Sequence, residues 1–507
     1  MTKKLLCACV ALLIALMPIA ALAASEEEFI FGLVYESGAA INPLYCNQRD
    51  LISLNELVFE SVVSLDDNLK PRCELAYSYA VSGREFTFNL RQNVMFHDGN
   101  YLSAPDVLAT YNRIMQIGEN SPYYTRCSYI SEMEVIDLYT LKVTGKYASY
   151  FTLYAMTFPV LESSSLDMIL PTGTGPYWYM YSDTEWVQID VNPYWWKKAP
   201  TVDTVYAFRY NDTGEALEAL QTGEVDAVPT RSQSAALSRL LSDRVSMDYS
   251  TLTYEMLIPN LTNEIFADVR TRQAIMYAID ISTIAQNIYM NMVMEAEVPV
   301  ITGSWLYEPQ SAVYYYSMER ALQLLNEAGW GDYNGDGILD KVRDGILLEL
   351  KFTITTYVDD NANTRQHAAQ MIADQLRVLG IDVTVRTVSK TTLQKNLKNR
   401  EFDIVLCAVN LAVLPDLTFL LNSGGRMNYS GYSSADMNVL LQALYKTTDE
   451  ETFRAAFSDI QILISEDLPF MGLFFRKGTL MTTADATGFS PIVESNALQG
   501  FEYIQFN

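Results

Sequence analysis

The sequence predicts an α/β protein that is built from more than one packed unit. The chain has 507 residues, whereas a single hydrophobic core stops growing at roughly 250 to 300 residues, so two or three units are expected. Strand-like and helix-like segments alternate along the chain, and the clearest strand–helix–strand pattern lies in 346–388. Such alternation is typical of α/β folds.

The unit at 346–388 shows both periodicities. Apolar residues alternate in 348–354 as in a strand, and they then recur every three or four residues in 369–379 as on one face of a helix. Gly380 supplies a helix stop, and 381–385 alternates again. We expect two parallel, buried strands joined by one helix.

Shorter elements are predicted from the same periodicities and from capping residues. They are a strand at 85–90, a helix at 104–115 with Ser103 as its N-cap, a helix at 213–220 that ends near Gly223, and a strand at 225–228. No short repeat and no Pro/Gly/Ser-rich linker divides the chain. The packed units should therefore be joined by several chain crossings.

Composition narrows the class of protein. Hydrophobic residues make up 49% and charged residues 19%, which describes an ordinary soluble globular protein. The chain has 35 basic and 61 acidic residues and a formal net charge of -26. A surface this negative repels phosphate backbones, so nucleic acid is not an expected partner.

The N-terminus has the three zones of a secretory signal peptide. Lys3 and Lys4 precede an apolar run at 5–20, and small residues follow it. We interpret 1–23 as a cleaved signal peptide, which predicts a secreted protein of the periplasm or cell surface. The alternative is an uncleaved membrane anchor. A lipobox at Cys7 is rejected because this cysteine precedes the apolar run.

Four cysteines remain after the signal peptide. Cys46, Cys73 and Cys127 lie in the first third of the chain and Cys407 lies far from them. Their spacing fits no zinc motif. In an oxidising compartment we expect a disulfide among the first three, whereas Cys407 is expected to be free.

Five segments occur in an order that is known from one protein family. They are 86–113, which contains His97-Asp98-Gly99; Gly173-Thr174-Gly175-Pro176-Tyr177; Asn192-Pro193-Tyr194-Trp195 with Pro200, Val202 and Asp203; 219–226; and 269–280. Together they resemble the extracellular solute-binding protein family 5, which includes dipeptide-, oligopeptide- and nickel-binding proteins. The resemblance is strongest in 86–113, whereas 269–280 carries one extra residue, Thr271 or Arg272, relative to the commonest form.

Each of these segments also has a local structural reading. A single histidine without neighbouring ligands, such as His97, is far more often structural than catalytic or metal-binding. The glycine pair at 173 and 175 is not followed by a phosphate-binding helix with Lys-Ser or Lys-Thr, so we interpret it as a turn. With two histidines in the chain, nickel is not expected as the ligand.

The resemblance implies a two-lobed, periplasmic-binding-protein-like fold of the large, oligopeptide-binding type with an extra N-terminal subdomain. Lobe I would comprise 24–260 and 485–507, with the subdomain at about 61–176, and lobe II would comprise 261–484. The two crossings between lobes are expected near 257–263 and 482–488. A ligand would be enclosed between the lobes.

The resemblance also places a ligand-binding segment after the strand at 402–406. Peptide-binding members usually have a Trp here and an Asp that pairs with the peptide's amino terminus. The aligned positions are Val409 and about Ala412, so neither group is present. This departure makes a modified peptide, a longer peptide, a sugar or a hydrophobic ligand comparatively more favourable, since a buried ammonium needs a partner. The candidate ligand residues here are Cys407, Val409, Asn410 and Asp416.

Aromatic residues complete the expected ligand site. Tyr45, Trp178, Tyr429 and Tyr432 are the candidates, because aromatic faces give a large contact area at low entropic cost. The alternative for each of them is a place in the core or on the surface of a lobe.

One segment resembles a calcium-binding loop. Asp332, Asn334, Asp336 and Asp340 stand at positions 1, 3, 5 and 9, with Gly337 at position 6. Position 12 is Arg343 instead of a bidentate acid. The alternatives are a structural calcium site and a plain turn rich in Asp and Asn, and no other cofactor is expected.

The leading functional hypothesis is the solute-binding component of a bacterial ABC importer. It would bind a peptide or peptide-like ligand as a monomer and deliver it to permease and ATPase subunits. The alternatives are a binding or sensory protein of the same fold without transport, a receptor for a non-peptide ligand such as an oligosaccharide, and a hydrolase. No acidic pair stands out as catalytic, so no catalytic residue is assigned.

Overall fold

The computed structural model describes residues 28–232, 244–343, 345–358, 363–483, 486–489 and 496–506. The predicted signal peptide at 1–23 lies outside them. The α-helices are α1 (Arg49–Asn55), α2 (Ala104–Ile117), α3 (Tyr124–Cys127), α4 (Phe151–Ala155), α5 (Thr213–Thr222), α6 (Glu264–Ala267), α7 (Val269–Ala278), α8 (Ile281–Asn287), α9 (Met318–Glu327), α10 (Thr364–Arg377), α11 (Lys390–Asn399), α12 (Thr418–Leu421), α13 (Ala435–Leu444) and α14 (Glu450–Asp467).

The strands are β1 (Glu28–Val34), β2 (Val63–Leu65), β3 (Pro71–Cys73), β4 (Ala76–Ser82), β5 (Glu85–Leu90), β6 (Ile130–Asp137), β7 (Thr140–Gly145), β8 (Tyr177–Ser182), β9 (Trp186–Val191), β10 (Thr204–Tyr210), β11 (Ala227–Thr230), β12 (Arg244–Pro259), β13 (Val293–Glu295), β14 (Asp340–Arg343), β15 (Ile346–Glu349), β16 (Lys351–Tyr357), β17 (Asp382–Val388), β18 (Ile404–Asn410), β19 (Met471–Thr483), β20 (Ala486–Thr487) and β21 (Gln505–Phe506).

A mixed sheet of eleven strands organises the described chain. Its order is β17-β16-β18-β12-β19-β11-β1-β10-β9-β8, and β13 pairs with β19 off this path. The pairs β16–β17, β16–β18, β1–β10 and β1–β11 are parallel, whereas β12 is antiparallel to both β18 and β19. A separate four-stranded antiparallel sheet, β4-β5-β7-β6, lies within the range predicted for the subdomain.

Two long strands connect the halves of the central sheet. The first part of β12 pairs with the end of β19, which in turn pairs with β11, and the second part of β12 pairs with β18. The pairing of β12 with β19 shifts register between Ser250 and Tyr254. One core packs around Phe29, Phe31 and Phe501, and a second packs around α7, α10 and β16. The domain bounds given above stay a prediction.

Several local predictions are confirmed. The strand at 85–90 is β5, and the helix predicted at 104–115 is α2, whose first turn is fixed by Asp106 accepting hydrogen bonds from the N–H (3.1 Å) and hydroxyl (2.6 Å) of Ser103. The helix at 213–220 is α5, which ends at Gly223 with φ of 72°. The strand predicted at 225–228 starts two residues later, as β11.

The strand–helix–strand unit is confirmed in type but not in its first strand. β16 and β17 run parallel and α10 connects them. Residues 346–349, however, form β15 and pair with β14 in a separate hairpin. The alternating apolar pattern continues across both strands, so periodicity could not locate the break between them. β17 is also an edge strand and is only partly buried, because it pairs with β16 alone.

The predicted disulfide is not found. The four cysteines that the structure describes are free, and Cys46, Cys127 and Cys407 are buried. Burial raises the pKa of the Cys46 thiol to about 11 and that of Cys127 to about 12, so both remain protonated thiols that pack as small apolar side chains. The prediction that Cys407 is free agrees with the structure.

Candidate functional site

The segment that follows β18 leaves the sheet as an irregular loop, 411–417. Cys407 and Val409 of β18 are buried, and they pair with Met256 and Tyr254 of β12. Asn410 is exposed, and its side chain accepts a hydrogen bond from the Thr253 hydroxyl at 3.0 Å. The sheet thus holds the start of the loop rigidly, whereas the loop itself projects from the sheet.

An apolar pocket borders this loop. Its lining includes Leu69 and Tyr154 from the N-terminal half together with Val300 and Trp305, and the Trp305 indole N–H donates to the Tyr154 hydroxyl at 2.9 Å. Ala412, at the position aligned with the anchoring acid, lines the pocket and is exposed. The pocket can therefore receive an apolar group.

Asp416 is the carboxylate of the apolar pocket, and the protein itself uses both of its oxygens. Tyr129 and Tyr445 (2.5 Å) donate their hydroxyls to Oδ2, while the Thr418 N–H (2.9 Å) and hydroxyl (2.6 Å) donate to Oδ1. Burial and the adjacent carboxylate raise the pKa of both tyrosines, which keeps them neutral donors. Asp416 therefore joins Tyr129, which directly precedes β6, to the 411–417 loop.

A second, charged pocket, partly open to solvent, meets the same loop at Val413. Lys197 lies between Glu60 (3.1 Å) and Glu74 in this pocket. Glu60 also accepts hydrogen bonds from the Trp196 indole at 2.8 Å and the Thr174 hydroxyl at 3.0 Å. Burial alone would lower the pKa of Lys197, but the two carboxylates raise it, so the lysine is fully charged.

Glu56 and Arg126 form another part of the charged pocket. Glu56 is exposed, and the surrounding protein raises its pKa above the usual value against the opposing charge of Arg126. Arg126 is held by a hydrogen bond of 2.8 Å to the Thr157 hydroxyl. The pocket thus offers both a cation and a carboxyl group whose pKa is raised.

The structure does not gather all of the predicted aromatic residues at these pockets. Tyr45 lies against α2, where its hydroxyl accepts from Arg113 at 2.7 Å, and Trp178 lies on β8 with its ring 6.3 Å from that of His97. Neither residue lines the apolar or the charged pocket. Their role in ligand binding stays a prediction.

Tyr429 and Tyr432 are placed differently from each other. Tyr429 is partly buried and packs against the first core. Tyr432 is buried and donates its hydroxyl to Asp467 at 2.5 Å, which favours a packing role. The predicted ligand residue that lines a described pocket is Asp416.

The glycine-rich turn has the structural role that was expected. A Cβ atom added to Gly173 would lie 2.3 Å from the carbonyl oxygen of Val58, so only glycine allows this approach. His97 and Gly173 are joined by two hydrogen bonds. The main-chain N–H of His97 donates to the carbonyl of Gly173 (3.0 Å), and the imidazole Nδ1 of His97 accepts from the N–H of Gly173 (3.1 Å). Burial lowers the pKa of His97 to about 3, so it is neutral and structural.

Sequence reasoning missed the charged pocket. Its residues come from 56–74, from Arg126, from 195–197 and from 496–502, which are far apart in the chain. One usable signal was present: Trp195-Trp196-Lys197 places two indole donors and a cation side by side, and such a cluster needs a carboxylate partner when it is buried.

The acidic loop predicted to bind calcium lies between α9 and β14, away from both pockets. Asp332 accepts hydrogen bonds from the N–H groups of residues 335, 336 and 337 at 2.7 to 3.1 Å. Among the residues that the structure describes, no three carboxylate, imidazole or thiolate side chains are already assembled as a metal-ligand set.

The two cores, the paired connecting strands β12 and β19, and the two pockets that share one loop define a two-lobed solute-binding protein of the mixed α/β class. The sequence of residues 70–430 matches the family described as bacterial extracellular solute-binding proteins, family 5 Middle. The chain belongs to this family. Among the helices of the described ranges, none is long and apolar enough to cross a membrane.

Named relatives share most of the chain. The oligopeptide-binding protein AppA of Bacillus subtilis is 25% identical over 473 residues, which cover 88% of this chain and 86% of AppA. The glutathione-binding protein GsiB of Salmonella typhimurium is 24% identical over 497 residues, covering 93% of each chain.

Solved structures show the same fold. A nickel ABC transporter protein from Bacillus halodurans has a TM-score of 0.82 at 20% identity and covers 95% of this chain and 100% of its own. The periplasmic murein tripeptide-binding protein MppA, in its unliganded open form, has a TM-score of 0.81 at 18% identity and covers 96% of this chain and 99% of its own.

Proposed function

We propose that the protein captures a peptide or peptide-like ligand around the 411–417 loop and delivers it to the permease of an ABC importer. The observation that carries this proposal is the position of Val413, which lines the apolar pocket and the charged pocket at once. A ligand that spans the loop meets an apolar wall at one end and charged groups at the other. A peptide with an apolar side chain and ionised groups has this chemistry.

The geometry also bears on how the ligand is oriented. Both oxygens of Asp416 already accept hydrogen bonds, so a ligand ammonium at this carboxylate would have to displace a tyrosine or Thr418. We therefore expect the apolar pocket to receive a side chain or another uncharged group. An ammonium is better placed near Glu56, whose carboxyl ionises more readily beside a cation.

Named relatives support a peptide-like ligand without fixing which one. AppA is named for oligopeptides and GsiB for glutathione, itself a small peptide. The two histidines do not form a metal site of their own, since His97 is buried in a turn and His367 is exposed on α10. A nickel ligand would thus need donors other than a histidine pair.

The remaining features follow from the same proposal. The protein acts without chemical change to its ligand, as a monomer outside the cytoplasmic membrane, and its partners are permease and ATPase subunits. Glu60 and Glu74 share Lys197, which favours a structural and ligand-binding role for both carboxylates. Purified protein should release no product from peptides or glycosides. Turnover that a single Asp or Glu substitution abolishes would contradict this.

The experiment is ligand retention by the whole mature protein, measured by native mass spectrometry after purification without denaturation. The wild type should carry, or take up from a defined peptide mixture, a ligand of peptide mass. Ala412→Trp fills the apolar pocket and should abolish retention. Ala455→Trp, on the exposed face of α14, is the matched control and should retain the ligand. Equal retention by Ala412→Trp would contradict the proposed site.

A further inference from the structure

The loop from Asp332 to Asp340 is closed at its base by two hydrogen bonds. The N–H of Gly331 donates to the carbonyl of Asp340 (2.9 Å), and the N–H of Asp340 donates to the carbonyl of Gly331 (2.7 Å). Side chains at the first and fifth loop positions turn inward to accept main-chain N–H groups, as with Asp336, which accepts from Ile338 at 2.8 Å. These bonds hold the loop together and say nothing by themselves about a ligand.

The buried side chain of Asp340 is the feature of this loop that points to a ligand. Its side chain is completely buried, and within the described residues neither carboxylate oxygen has a hydrogen-bond partner. Leu339 faces Gly380, and the Lys341 ammonium lies 4.6 Å from the centre of the Trp330 ring. Because successive side chains of a strand point to opposite faces, Asp340 points away from these groups. It pairs with Gly331, where an added Cβ would lie 3.2 Å from the ring of Tyr333 in the loop, so Asp340 lies on the face that the loop covers.

A buried carboxylate without a partner is unfavourable, since the lost hydration is not replaced. The nearest basic side chains along the chain are engaged elsewhere. Lys341 lies over Trp330, and Arg343 pairs with Glu264 at 3.6 Å. A cation inside the loop would replace the missing partner of Asp340, and the oxygen donors of the loop suit a hard divalent ion.

We propose that this loop is a calcium site in which Asp332, Asn334, Asp336 and Asp340 supply side-chain oxygens and the main chain supplies the rest. The side chains do not form a preassembled set of three acids, so ion binding must draw them together. Arg343 replaces the bidentate acid of a high-affinity loop. Half-saturation is therefore expected at about 10⁻⁴ to 10⁻³ M calcium, the range of extracellular modules.

The site would act on the fold instead of on the solute. Asp340 begins β14, and the Leu339 N–H donates to the carbonyl of Gly380 at 2.8 Å, just after α10. Calcium would fix the β14–β15 hairpin against the strand–helix–strand unit. Calcium should thus raise the unfolding temperature of the protein and leave solute affinity unchanged.

The test is a calcium titration of EDTA-treated, full mature protein, followed by calorimetry and by thermal unfolding. The wild type should bind calcium and gain a few degrees in unfolding temperature at saturation, with a smaller gain in equal magnesium. Asp340→Asn removes the buried charge, so the metal-free variant should unfold no earlier than the metal-free wild type, while its calcium affinity falls at least tenfold. If Asp340 had only a structural role, its substitution would not lower calcium affinity while leaving the metal-free stability unchanged.

Two further variants complete the experiment. Asp336→Asn keeps a side-chain oxygen that can accept from the Ile338 N–H, so this variant should fold even if Asp340→Asn does not. Its calcium affinity should also fall. Asp459→Asn, an exposed carboxylate of α14, is the control and should bind calcium like the wild type. The proposal is overturned if the wild type responds to calcium no more than to magnesium, or if both loop variants respond as the wild type does.

Discussion

Glu255 of β12 and Arg365 of α10 form a buried, bidentate ion pair. The guanidinium Nε donates to one carboxylate oxygen at 3.0 Å, and Nη2 donates to the other at 2.7 Å. Arg476 of β19 donates to the same carboxylate at 2.7 Å. The pair therefore ties both long connecting strands to the helix of the strand–helix–strand unit, close to the register shift between Ser250 and Tyr254.

Glu255→Gln should destabilise the protein strongly, because it leaves two arginines beside a neutral amide in a buried setting. Removing one partner of a buried ion pair costs about 3 to 5 kcal/mol of unfolding free energy. Denaturant unfolding of the two proteins measures the difference. Asp374→Asn, which breaks the exposed pair of Asp374 with Arg377, should change stability little. Similar losses in both variants would contradict the assigned role of burial.

The same carboxylate predicts a pH dependence. Burial alone would raise the pKa of Glu255, but Arg365 and Arg476 lower it from 4.5 to about 2. A depressed folded-state pKa contributes stability that is complete above the unfolded-state pKa and is lost as the pH falls through the folded-state value. The stability difference between wild type and Glu255→Gln should thus be constant above about pH 4.5 and shrink toward pH 2. A difference that does not vary with pH would contradict this.

The sequence indicated the short-range features because their causes are local. Ser103 and Asp106 are three residues apart, and Gly223 directly follows the helix that it ends. The pairing of Glu255 with Arg365 spans 110 residues, and no periodicity or spacing reveals which buried arginine meets which acid. The two-lobed fold was predicted instead from the order of the family motifs, and the candidate site was predicted from the alignment of one loop with the family.

The candidate site also combines a feature that local sequence predicts with a contact between residues far apart in the chain. Ala412 was identified as the position where an anchoring acid is missing, and it does line an apolar pocket. Asp416 was expected near the ligand, yet its partner Tyr129 lies 287 residues away in the chain. Whether a carboxylate is free for a ligand depends on such distant partners, so sequence alone could not decide it.

Gly175→Ala should destabilise the protein through a steric clash. A Cβ atom at this position would lie 2.6 Å from the carbonyl carbon of Val58 and 2.7 Å from the oxygen of Leu57. Such overpacking costs about 1 to 3 kcal/mol, which thermal or denaturant unfolding can detect. Gly424→Ala is the matched control, since its Cβ would meet only the Asn422 side chain at 3.6 Å. If the two variants were equally stable, the close approach of Gly175 to the main chain of Leu57 and Val58 would be contradicted.

Tyr129 and Tyr445 should be energetically coupled because both hydroxyls donate to the same oxygen of Asp416. Tyr129→Phe or Tyr445→Phe alone leaves one donor in place, so each should cost about 1 to 2 kcal/mol of unfolding free energy. The double variant leaves that oxygen without either hydroxyl, and its loss should exceed the sum of the single losses by about 0.5 kcal/mol or more. Denaturant unfolding of the four proteins measures this coupling.

Tyr432→Phe supplies the control for the coupling, since the Tyr432 hydroxyl donates to Asp467 and shares no acceptor with Tyr129. Its effect should add to that of Tyr129→Phe, because residues without a common partner behave independently. Hydrogen exchange of the loop amides at 411–417 should also increase in the Tyr129–Tyr445 double variant, since Asp416 then loses its hydrogen bond to the segment that precedes β6. Strict additivity of the Tyr129 and Tyr445 substitutions would show that the two hydroxyls do not share Asp416.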